Sequence, residues 1–410
     1  MFKLKIESIE ANKRASQSIA HGALTNSKRP SCFVKGVYPT HIKSGSKCYL
    51  TDVDGNKYID YICGLGTNLF GYSNNEIRQS VRSALEEGGV VYSLSSIDEV
   101  NYAETLKSTF PFLERVRFLK DGSSGCTAAI KMARAFTGRK YVMSEGYHGW
   151  HDDFVQLTKP AKGVIKDTFT VNLNDDVNER FLENVAAVIV EPVILDASTK
   201  RQVWLQKLRE KCTKSGTVLI YDETITAFRF PQYCVARHYN VLPDLWIAGK
   251  ALAGGFPISV IGGKQDVMES DYFVSSTWAG DRVSIAAGMA ANRLIHTDFY
   301  NPENLWLYGS EFCEKFNQLS ENVKISGYPT RGVFDYKSKH FKPLFMQEMA
   351  LSGVLIGPTW FYNIFLHQEL DNVLDIAKTV IKKIENGTVR LKGIPPVSPF
   401  AERVRNADKN

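Results

Sequence analysis

Residues 116–138 read VRFLKDGSSGCTAAIKMARAFTG: a short apolar run, a turn of small residues, and then a helical pattern. In that pattern Ala129, Ile130, Ala133 and Phe136 fall on one helical face. A strand that leads through a turn into a helix is the repeating unit of α/β sheets. The glycines of the turn let a backbone approach an anion, and a helix N-terminus presents unpaired N–H groups. The stretch therefore predicts an α/β fold with a phosphate cup in the turn, or equally well a plain helix cap.

More short apolar runs flank this stretch, each bounded by turns or helical patterns. They are KYVMS (140–144), DTFTVNL (167–173), AAVIVEP (186–192), TVLIYDE (217–223) and LWIAGK (245–250). The runs are mostly apolar and do not alternate, which is typical of strands covered on both faces in a mainly parallel sheet. A helix is predicted from Ser73 with Ile77, Val81 and Leu85 on one face, and another after Val283.

The two chain ends read differently from this central part. Asp54-Gly55 lies between two strand-like runs, which predicts a hairpin. The stretch 323–336 reads as a second hairpin, and 370–386 as an amphipathic closing helix. We therefore predict an N-terminal arm, mobile or packed on a partner, and a large domain flanked by two parts of a smaller α+β domain. The predicted bounds are 1–30 for the arm, 31–72 and 297–410 for the smaller domain, and 73–296 for the large domain.

Composition narrows the class of protein. The net charge of +6 is spread along 410 residues, which favours a mixed-charge surface over a nucleic-acid footprint without excluding one. The seven cysteines are odd in number and form no CxxC pair, which argues against a disulfide framework or a zinc site. The N-terminus has no apolar signal-like region, and no run of about 18 apolar residues follows it. These features predict a soluble, cytoplasmic protein without membrane or metal.

Three residues at predicted strand ends suit one planar, phosphorylated ligand. Asp222 closes the run TVLIYDE, and a buried carboxylate there could hold a proton on a heterocyclic nitrogen. Lys250 follows an apolar run among glycines, where burial favours the neutral amine that Schiff-base formation requires. Tyr147 follows KYVMSEG and could stack on a ring. Each has an ordinary structural alternative: a helix cap or ion pair, a surface charge, and a core tyrosine.

Seven segments together resemble the class III pyridoxal 5'-phosphate (PLP) enzymes of fold type I. The likeness is greatest to the branch that contains glutamate-1-semialdehyde 2,1-aminomutase and its aminotransferase-like relatives. The segments are DVDGNKYIDY (52–61), DGSSGCTAAIKMARAFTGR (121–139), EGYHGWHD (145–152), VIVEPV (188–193), YDETITAFRF (221–230), PDLWIAGKALAGGFPIS (243–259) and STWAGDRVSIAAGMAA (276–291).

The resemblance implies a large domain with a mainly parallel seven-stranded sheet, a smaller α+β domain from both chain ends, and bound PLP. It also implies a homodimer with shared active sites and a small amino substrate. Lys250 would form the Schiff base, Asp222 would pair with the pyridinium nitrogen, and Tyr147 would stack on the ring. The remaining implied cofactor contacts are Gly122, Ser123, Ser124, Glu191 and Thr277, the last to the phosphate of the neighbouring subunit's cofactor.

Some positions depart from the family pattern. Asp121 would repel a phosphate if it pointed inward, so we expect it to cap the helix or face away. Arg282 stands where relatives often have proline, and either binds a substrate anion or decorates the surface. Arg29 is one position away from an arginine that binds the substrate carboxylate in aminomutases. His148 is expected to be structural.

The resemblance leaves the reaction open within one chemistry. The implied activity is amino-group transfer by an aminotransferase or an aminomutase. The alternatives are decarboxylation of an α-amino acid, free or carried on a larger molecule such as a nucleic acid, and a non-catalytic PLP-binding relative. Retention of Lys250, Asp222 and Tyr147 together argues against the last.

Overall fold

The computed structural model describes residues 6–155, 163, 165, 168–173 and 182–397. The chain divides into two compact units. The larger runs from Asn75 to Asn304, and the smaller is assembled from the segments before and after it. The last part of the predicted 297–410 segment, residues 398–410, lies outside the described residues.

Strands are numbered here in chain order. They are β1 Ile42–Ser46, β2 Tyr49–Asp52, β3 Lys57–Asp60, β4 Arg115–Leu119, β5 Tyr141–Glu145, β6 Thr170–Asn172, β7 Val185–Val190, β8 Val218–Asp222, β9 Leu245–Ala248, β10 Ser259–Gly263, β11 Val323–Tyr328, β12 Arg331–Tyr336, β13 Val354–Leu355 and β14 Trp360–Phe361.

Helices are named by their bounds. In the larger unit they are Asn75–Glu87, Ile97–Thr109, Gly122–Thr137, Asp152–Val155, Thr199–Ser215, Val235–His238, Gln265–Met268, Arg282–Leu294 and Pro302–Asn317, the last of which continues into the smaller unit. In the smaller unit they are Ile6–Ser18, Cys63–Gly66, Phe341–Leu351 and Leu370–Glu385. Short 3-10 turns lie at Ala20–Gly22, Asn26–Lys28, Pro30–Cys32, Pro231–Tyr233, Lys250–Ala253 and Ile364–Glu369.

The larger unit is built on a seven-stranded sheet in the order β4-β10-β9-β8-β7-β5-β6. All neighbours from β9 to β6 pair in parallel, whereas β10 is antiparallel to both β4 and β9. Consequently β4 runs in the same direction as the parallel strands. This confirms the predicted mainly parallel seven-stranded sheet, in which β10 is an antiparallel strand that the sequence pattern did not distinguish.

The core of this unit lies between the sheet and the helix Gly122–Thr137. Ala129, Ile130 and Ala133 are fully buried against strand residues such as Ile189 and Ile247. The burial of these side chains holds the turn before the helix at the sheet's edge, since apolar burial contributes roughly 25 cal/mol per Å².

The apolar faces of two predicted helices are not buried along their whole length. Phe136 and Leu85 are 43% and 52% exposed, although the helices that carry them were predicted correctly. In the helix Asn75–Glu87 it is Ala84 that is buried beside Ile77. Both exposed residues lie in the last turn of their helix, where the chain leaves the core.

The smaller unit contains both predicted hairpins, β2–β3 and β11–β12, each antiparallel. The predicted closing helix is Leu370–Glu385. The N-terminal arm contains the helix Ile6–Ser18, whose first amides, from Glu7 and Ser8, donate to Asp54 at 2.8 and 3.1 Å. The arm is thus fastened to the β2–β3 turn, because a carboxylate satisfies N–H groups that a helix start leaves open.

Among the residues that the structure describes, no helix is both long enough and apolar enough to cross a membrane.

Candidate active site

Five strands of the large sheet end at one edge, and each end carries one of the predicted site residues. The cup residues 121–125 follow β4, Tyr147 follows β5, Glu191 follows β7, Asp222 closes β8, and Lys250 follows β9. These strands run in the same direction, so their carboxyl ends lie along the same edge of the sheet. This is the edge at which open α/β sheets bind ligands.

The turn after β4 begins a helix that Asp121, a residue of the same turn, caps. Asp121 Oδ1 accepts from the Ser124 amide at 2.8 Å, and Oδ2 accepts from the Ser124 hydroxyl at 3.2 Å. Asp121 therefore caps the helix, as expected from the sequence. Within the described part of the chain, no acceptor takes the amides of Gly122 and Ser123, so these two N–H groups remain for an anion.

Two glycines keep this cup open. A Cβ on Gly122 would lie 2.8 Å from Oγ1 of Thr224, and one on Gly149 would lie 2.2 Å from Oγ of Ser123. Gly149 also has a φ of +104°, in the region that favours glycine. The Thr224 hydroxyl is buried and lies near the Asp222 carboxylate. A small anionic group beside these residues would meet the amides of Gly122 and Ser123 as donors.

Lys250 begins the turn that follows β9. Its φ is +47°, a left-handed conformation that a lysine adopts only at some expense, of order 1–3 kcal/mol. Gly254, with a φ of +56°, ends the turn. Strained backbone of this kind is concentrated at active sites, where it fixes the direction of a side chain.

Asp222 is buried and accepts three hydrogen bonds. Oδ2 accepts from Nδ1 of His148 at 2.8 Å and from Sγ of Cys126 at 3.3 Å, and Oδ1 accepts from the Thr224 amide at 3.1 Å. Burial by itself raises the pKa of Asp222, but the hydrogen bond and charge of His148, with the bonds from Thr224, outweigh it. The pKa of Asp222 therefore lies below its ordinary value of 3.8, and the residue is an anion.

His148 was expected to be structural, yet it directly contacts the central carboxylate. Its Nδ1 faces Asp222, and its Nε2 lies 3.0 Å from the carbonyl oxygen of Glu145. A carbonyl only accepts, and so does an ionised carboxylate; both ring nitrogens must therefore carry a proton. From these partners we assign His148 as an imidazolium ion, buried beside the Asp222 carboxylate.

Cys126, His148 and Asp222 also form a group that could in principle hold a metal ion, since their ligand atoms lie within 4.8 Å of one another. However, Nδ1 of His148 carries a proton toward Asp222, and a protonated nitrogen has no lone pair for a metal. The cluster is accordingly interpreted as hydrogen-bonded.

Glu191 positions Tyr147. Its Oε1 accepts from the Tyr147 amide at 2.7 Å, and its side chain packs where a Cβ on Gly146 would be, 2.9 Å away. Gly146 has a φ of +108°, so the chain turns sharply before the tyrosine. Tyr147 is 44% exposed, which leaves the residue accessible to a planar ligand.

The remaining predicted residues lie elsewhere. Thr277 is exposed in the segment before the helix Arg282–Leu294. Arg29 is half-buried in the smaller unit. The prediction for Arg282 is wrong in both forms: the side chain is buried and bonds Asp98 at 2.6 Å and Glu87 at 3.0 Å. Its charge is already paired with two carboxylates within the larger unit, so it is neither a surface decoration nor an open anion site.

A glycine-containing turn with two open amides, an accessible tyrosine, a buried carboxylate and a lysine lie at strand ends along one edge of the sheet, the arrangement expected of a PLP-dependent enzyme of fold type I. The chain belongs to the class III aminotransferase family, because the family model described as "Aminotransferase class-III" matches residues 34–365. It is 33% identical over 401 residues to a glutamate-1-semialdehyde 2,1-aminomutase 2 of Lachnoclostridium phytofermentans, covering 85% of this chain and 93% of that protein.

Solved structures support the fold. The chain is similar to the PLP internal aldimine form of the FumI protein from Sphingopyxis sp. MTA144, with a TM-score of 0.87 at 21% identity, covering 95% and 98% of the two chains. It is also similar to a glutamate-1-semialdehyde aminomutase from Pseudomonas aeruginosa PAO1, with a TM-score of 0.80 at 17% identity, covering 92% and 94%. Family membership makes the protein a PLP-dependent enzyme of amino-group chemistry, an aminotransferase or aminomutase.

Proposed function

We propose that Lys250 binds PLP covalently and that Asp222 holds the proton on the ring nitrogen during amino-group transfer on a small amino substrate. The observation that carries this proposal is the buried, ionised Asp222, which lies on the strand next to the one that leads to Lys250. On this assignment residues 75–304 form the cofactor-binding domain.

The other site residues fit the group. The amides of Gly122 and Ser123 and the Ser123 hydroxyl would hold the phosphate, and Ser124 would shape the cup through its bonds to Asp121. Tyr147 would pack against the ring, with Glu191 fixing its backbone. When bound, PLP supplies an electron sink for the charge that develops on the substrate carbon next to the amine.

The chain's own residues would then move protons. The Lys250 amine, released by the substrate, takes a proton from the substrate carbon as general base and returns it as general acid; such steps contribute typically 10²–10⁴-fold. Asp222 remains ionised because His148 is charged beside it, and so favours a protonated ring nitrogen. Tyr147 restricts the ring to one plane.

The names of the relatives indicate which reaction to test first. Two relatives, at 33% and 32% identity, are named as glutamate-1-semialdehyde 2,1-aminomutases. We therefore propose an exchange of the amino group between neighbouring carbons of one small amino aldehyde or keto compound. Transfer between two substrates is the second candidate, because aminotransferases share the family.

The test is to purify the protein with PLP, record its visible absorbance, and reduce it with borohydride. Peptide mapping should place the cofactor on Lys250; a protein without a cofactor band, or labelled elsewhere, would refute the proposal. Adding glutamate-1-semialdehyde should then give an isomeric amino product, whereas stable conversion to the pyridoxamine form with an amino donor indicates transamination. Release of carbon dioxide from an α-amino acid would instead establish decarboxylation.

We also propose a homodimer that shares its active sites, on the strength of an exposed apolar segment in the larger unit. Val90, Tyr92 and Leu94 are 38%, 47% and 84% exposed. The Val90 carbonyl accepts a hydrogen bond from the Arg282 amide. This bond joins the exposed apolar segment to the end of a second segment, which carries Thr277 and the exposed Trp278. Adjacent exposed apolar side chains of this size are typical of an interface.

Sharing can be tested by complementation between two inactive variants, Lys250→Ala and Thr277→Asp. If Thr277 serves the neighbouring subunit's cofactor, a mixed dimer contains one site with both native residues, and mixing under exchange conditions restores activity. If Thr277 serves its own chain, no mixed site is intact, so mixtures should stay inactive. Sedimentation of the separate variants checks that each is a dimer.

We propose a cytoplasmic location from the state of the cysteines. All seven cysteines are free thiols, six of them buried, which suits a reducing compartment such as the cytoplasm.

A further inference from the structure

The two oxygens of the Asp222 carboxylate have different surroundings. Oδ2 accepts from both His148 and Cys126, at 2.8 and 3.3 Å, whereas Oδ1 accepts from the Thr224 amide at 3.1 Å. Each carboxylate oxygen offers about two lone-pair positions. Oδ2 is therefore fully used by His148 and Cys126, whereas Oδ1 faces Thr224.

Cys126 lies among the charged groups of the site. It is fully buried in the first turns of the cup helix, and the charges that act on it are those of Asp222, Glu191 and Lys250. Burial and then the Asp222 carboxylate raise the pKa of the thiol well above its usual value. The sulfur therefore keeps its proton and acts as a donor toward Asp222, although a weak one.

We propose that His148 and Cys126 are positioning residues that act as a pair on Oδ2 of Asp222. By occupying this oxygen they leave Oδ1 to accept the ring nitrogen's proton, and by donating to the carboxylate they hold that proton on the nitrogen. The inference rests on the proposed function, since it assumes that Asp222 faces the ring nitrogen.

The direction of the effect follows from acid–base balance. Donors to an ionised carboxylate make it a weaker base. A weaker base competes less well for a shared proton, so the proton stays on the ring nitrogen. Removing either donor makes Asp222 more basic and moves the proton from the nitrogen toward Oδ1. His148 is charged and closer, so its loss should have the larger effect.

The experiment uses the holoenzyme loaded with PLP that carries ¹⁵N in the ring. The ¹⁵N resonance is compared in wild type, Cys126→Ala, His148→Asn and Cys212→Ala; Cys212 is an equally buried thiol that makes no contact with Asp222 among the described residues. We expect displacement toward the unprotonated pyridine position in the order His148→Asn, then Cys126→Ala, with Cys212→Ala like wild type. A Cys126→Ala resonance equal to wild type, or displaced only as far as Cys212→Ala, would overturn the role of the thiol.

A second measurement covers variants that do not fold. In the apoprotein, the S–H stretching band of Cys126 should lie at low frequency because the thiol donates to a carboxylate, and Asp222→Asn should move this band to higher frequency. Identical S–H bands in wild type and Asp222→Asn would contradict the proposal. Failure of the wild type to bind PLP at Lys250 would instead refute the proposed function, before any variant is compared.

Discussion

The Nδ1 atom of His148 lies 2.8 Å from Oδ2 of Asp222, although the two residues come from different strands of the sheet. His148 follows β5 and Asp222 closes β8, and β7 lies between these strands. Strands separated by one neighbour are about 10 Å apart, a gap that a histidine and an aspartate can close from the two sides. The contact thus joins the loop that carries Tyr147 to the strand end that carries the carboxylate.

Replacing His148 tests the strength of this pair. His148→Ala leaves Asp222 buried without its cation, and removal of one partner of a buried pair typically destabilises by about 3–5 kcal/mol. His148→Asn retains a neutral donor and should lose less stability. Urea unfolding of the apoprotein at neutral pH measures both; equal losses in the two variants would show that a neutral donor at position 148 does not stabilise the buried Asp222 carboxylate.

The same pair sets a pH dependence. Because the pKa of Asp222 is lowered in the folded protein, its contribution is present at pH values above the ordinary 3.8 and disappears as the pH falls through the folded value. Wild type should therefore lose stability with acid more steeply than Asp222→Asn below about pH 4. Parallel acid-unfolding curves for the two proteins would contradict this expectation.

Covalent binding at Lys250 can be tested by comparing alanine variants of two lysines, Lys250 and Lys264. Lys250→Ala should abolish borohydride-trapped cofactor and lower the turnover rate by at least about 10²-fold, since the general base is removed with the attachment point. Lys264 follows the neighbouring strand β10 and is an exposed partner of Asp244. Lys264→Ala should retain full labelling, and mass spectrometry of the reduced protein distinguishes the two.

The cup geometry predicts a contrast between two glycines that both have positive φ. A Cβ on Gly149 would lie 2.2 Å from Ser123 Oγ, whereas one on Gly138 meets nothing within 4 Å. Both alanine variants bear backbone strain of order 1 kcal/mol. Only Gly149→Ala should also weaken PLP binding, by roughly tenfold or more, because it displaces the Ser123 side chain. Equal PLP affinities, measured by fluorescence titration, would show that Ser123 does not hold the phosphate.

The sequence pattern predicted which residues lie at the strand ends, but it did not predict which hydrogen bonds they form there. Lys250 and Asp222 stand out because each follows an apolar strand, so position alone indicates them. Their partners do not, since Cys126 is 96 residues from Asp222 and His148 is 74 residues away. The strand order β8-β7-β5 would have placed His148 near Asp222, but apolar runs indicate strands without their order.

The sequence pattern also failed for Arg282 and for strand β10, because both depend on contacts between elements that are distant in the chain. Arg282 is N-terminal in its helix and looks exposed in the sequence, yet Asp98 and Glu87 come from two other helices to meet it. Strand β10 reads as part of a glycine-rich turn, and its antiparallel direction follows from the short connection after β9. Such features depend on tertiary packing, which local pattern does not encode.

Asp60 in the smaller unit provides the final prediction. It is fully buried and accepts from the Tyr72 hydroxyl at 2.6 Å and from the amides of Ile62 and Cys63, both at 2.9 Å. Burial outweighs these bonds and raises the pKa of Asp60 from 3.8 to about 6. A raised pKa means that the folded state binds the proton more tightly, so stability is greatest below pH 3.8 and falls as the pH rises toward 6. The two-unit shift corresponds to about 3 kcal/mol.

Asp60→Asn removes this titration, so the difference in unfolding free energy between variant and wild type should change between pH 4 and pH 6, where Asp60 changes its charge. Asp371→Asn, an exposed carboxylate of the same unit, controls for the loss of a charge. Hydrogen exchange of the peptide that contains the Ile62 and Cys63 amides reports the effect locally, because those amides donate to Asp60. Wild-type exchange that slows steadily from pH 4 to pH 6, after correction for the intrinsic rate, would contradict the raised pKa of Asp60. The expected outcome is faster corrected exchange in wild type as the carboxylate ionises, and no such change in Asp60→Asn, because ionisation of a buried carboxylate favours opening to water.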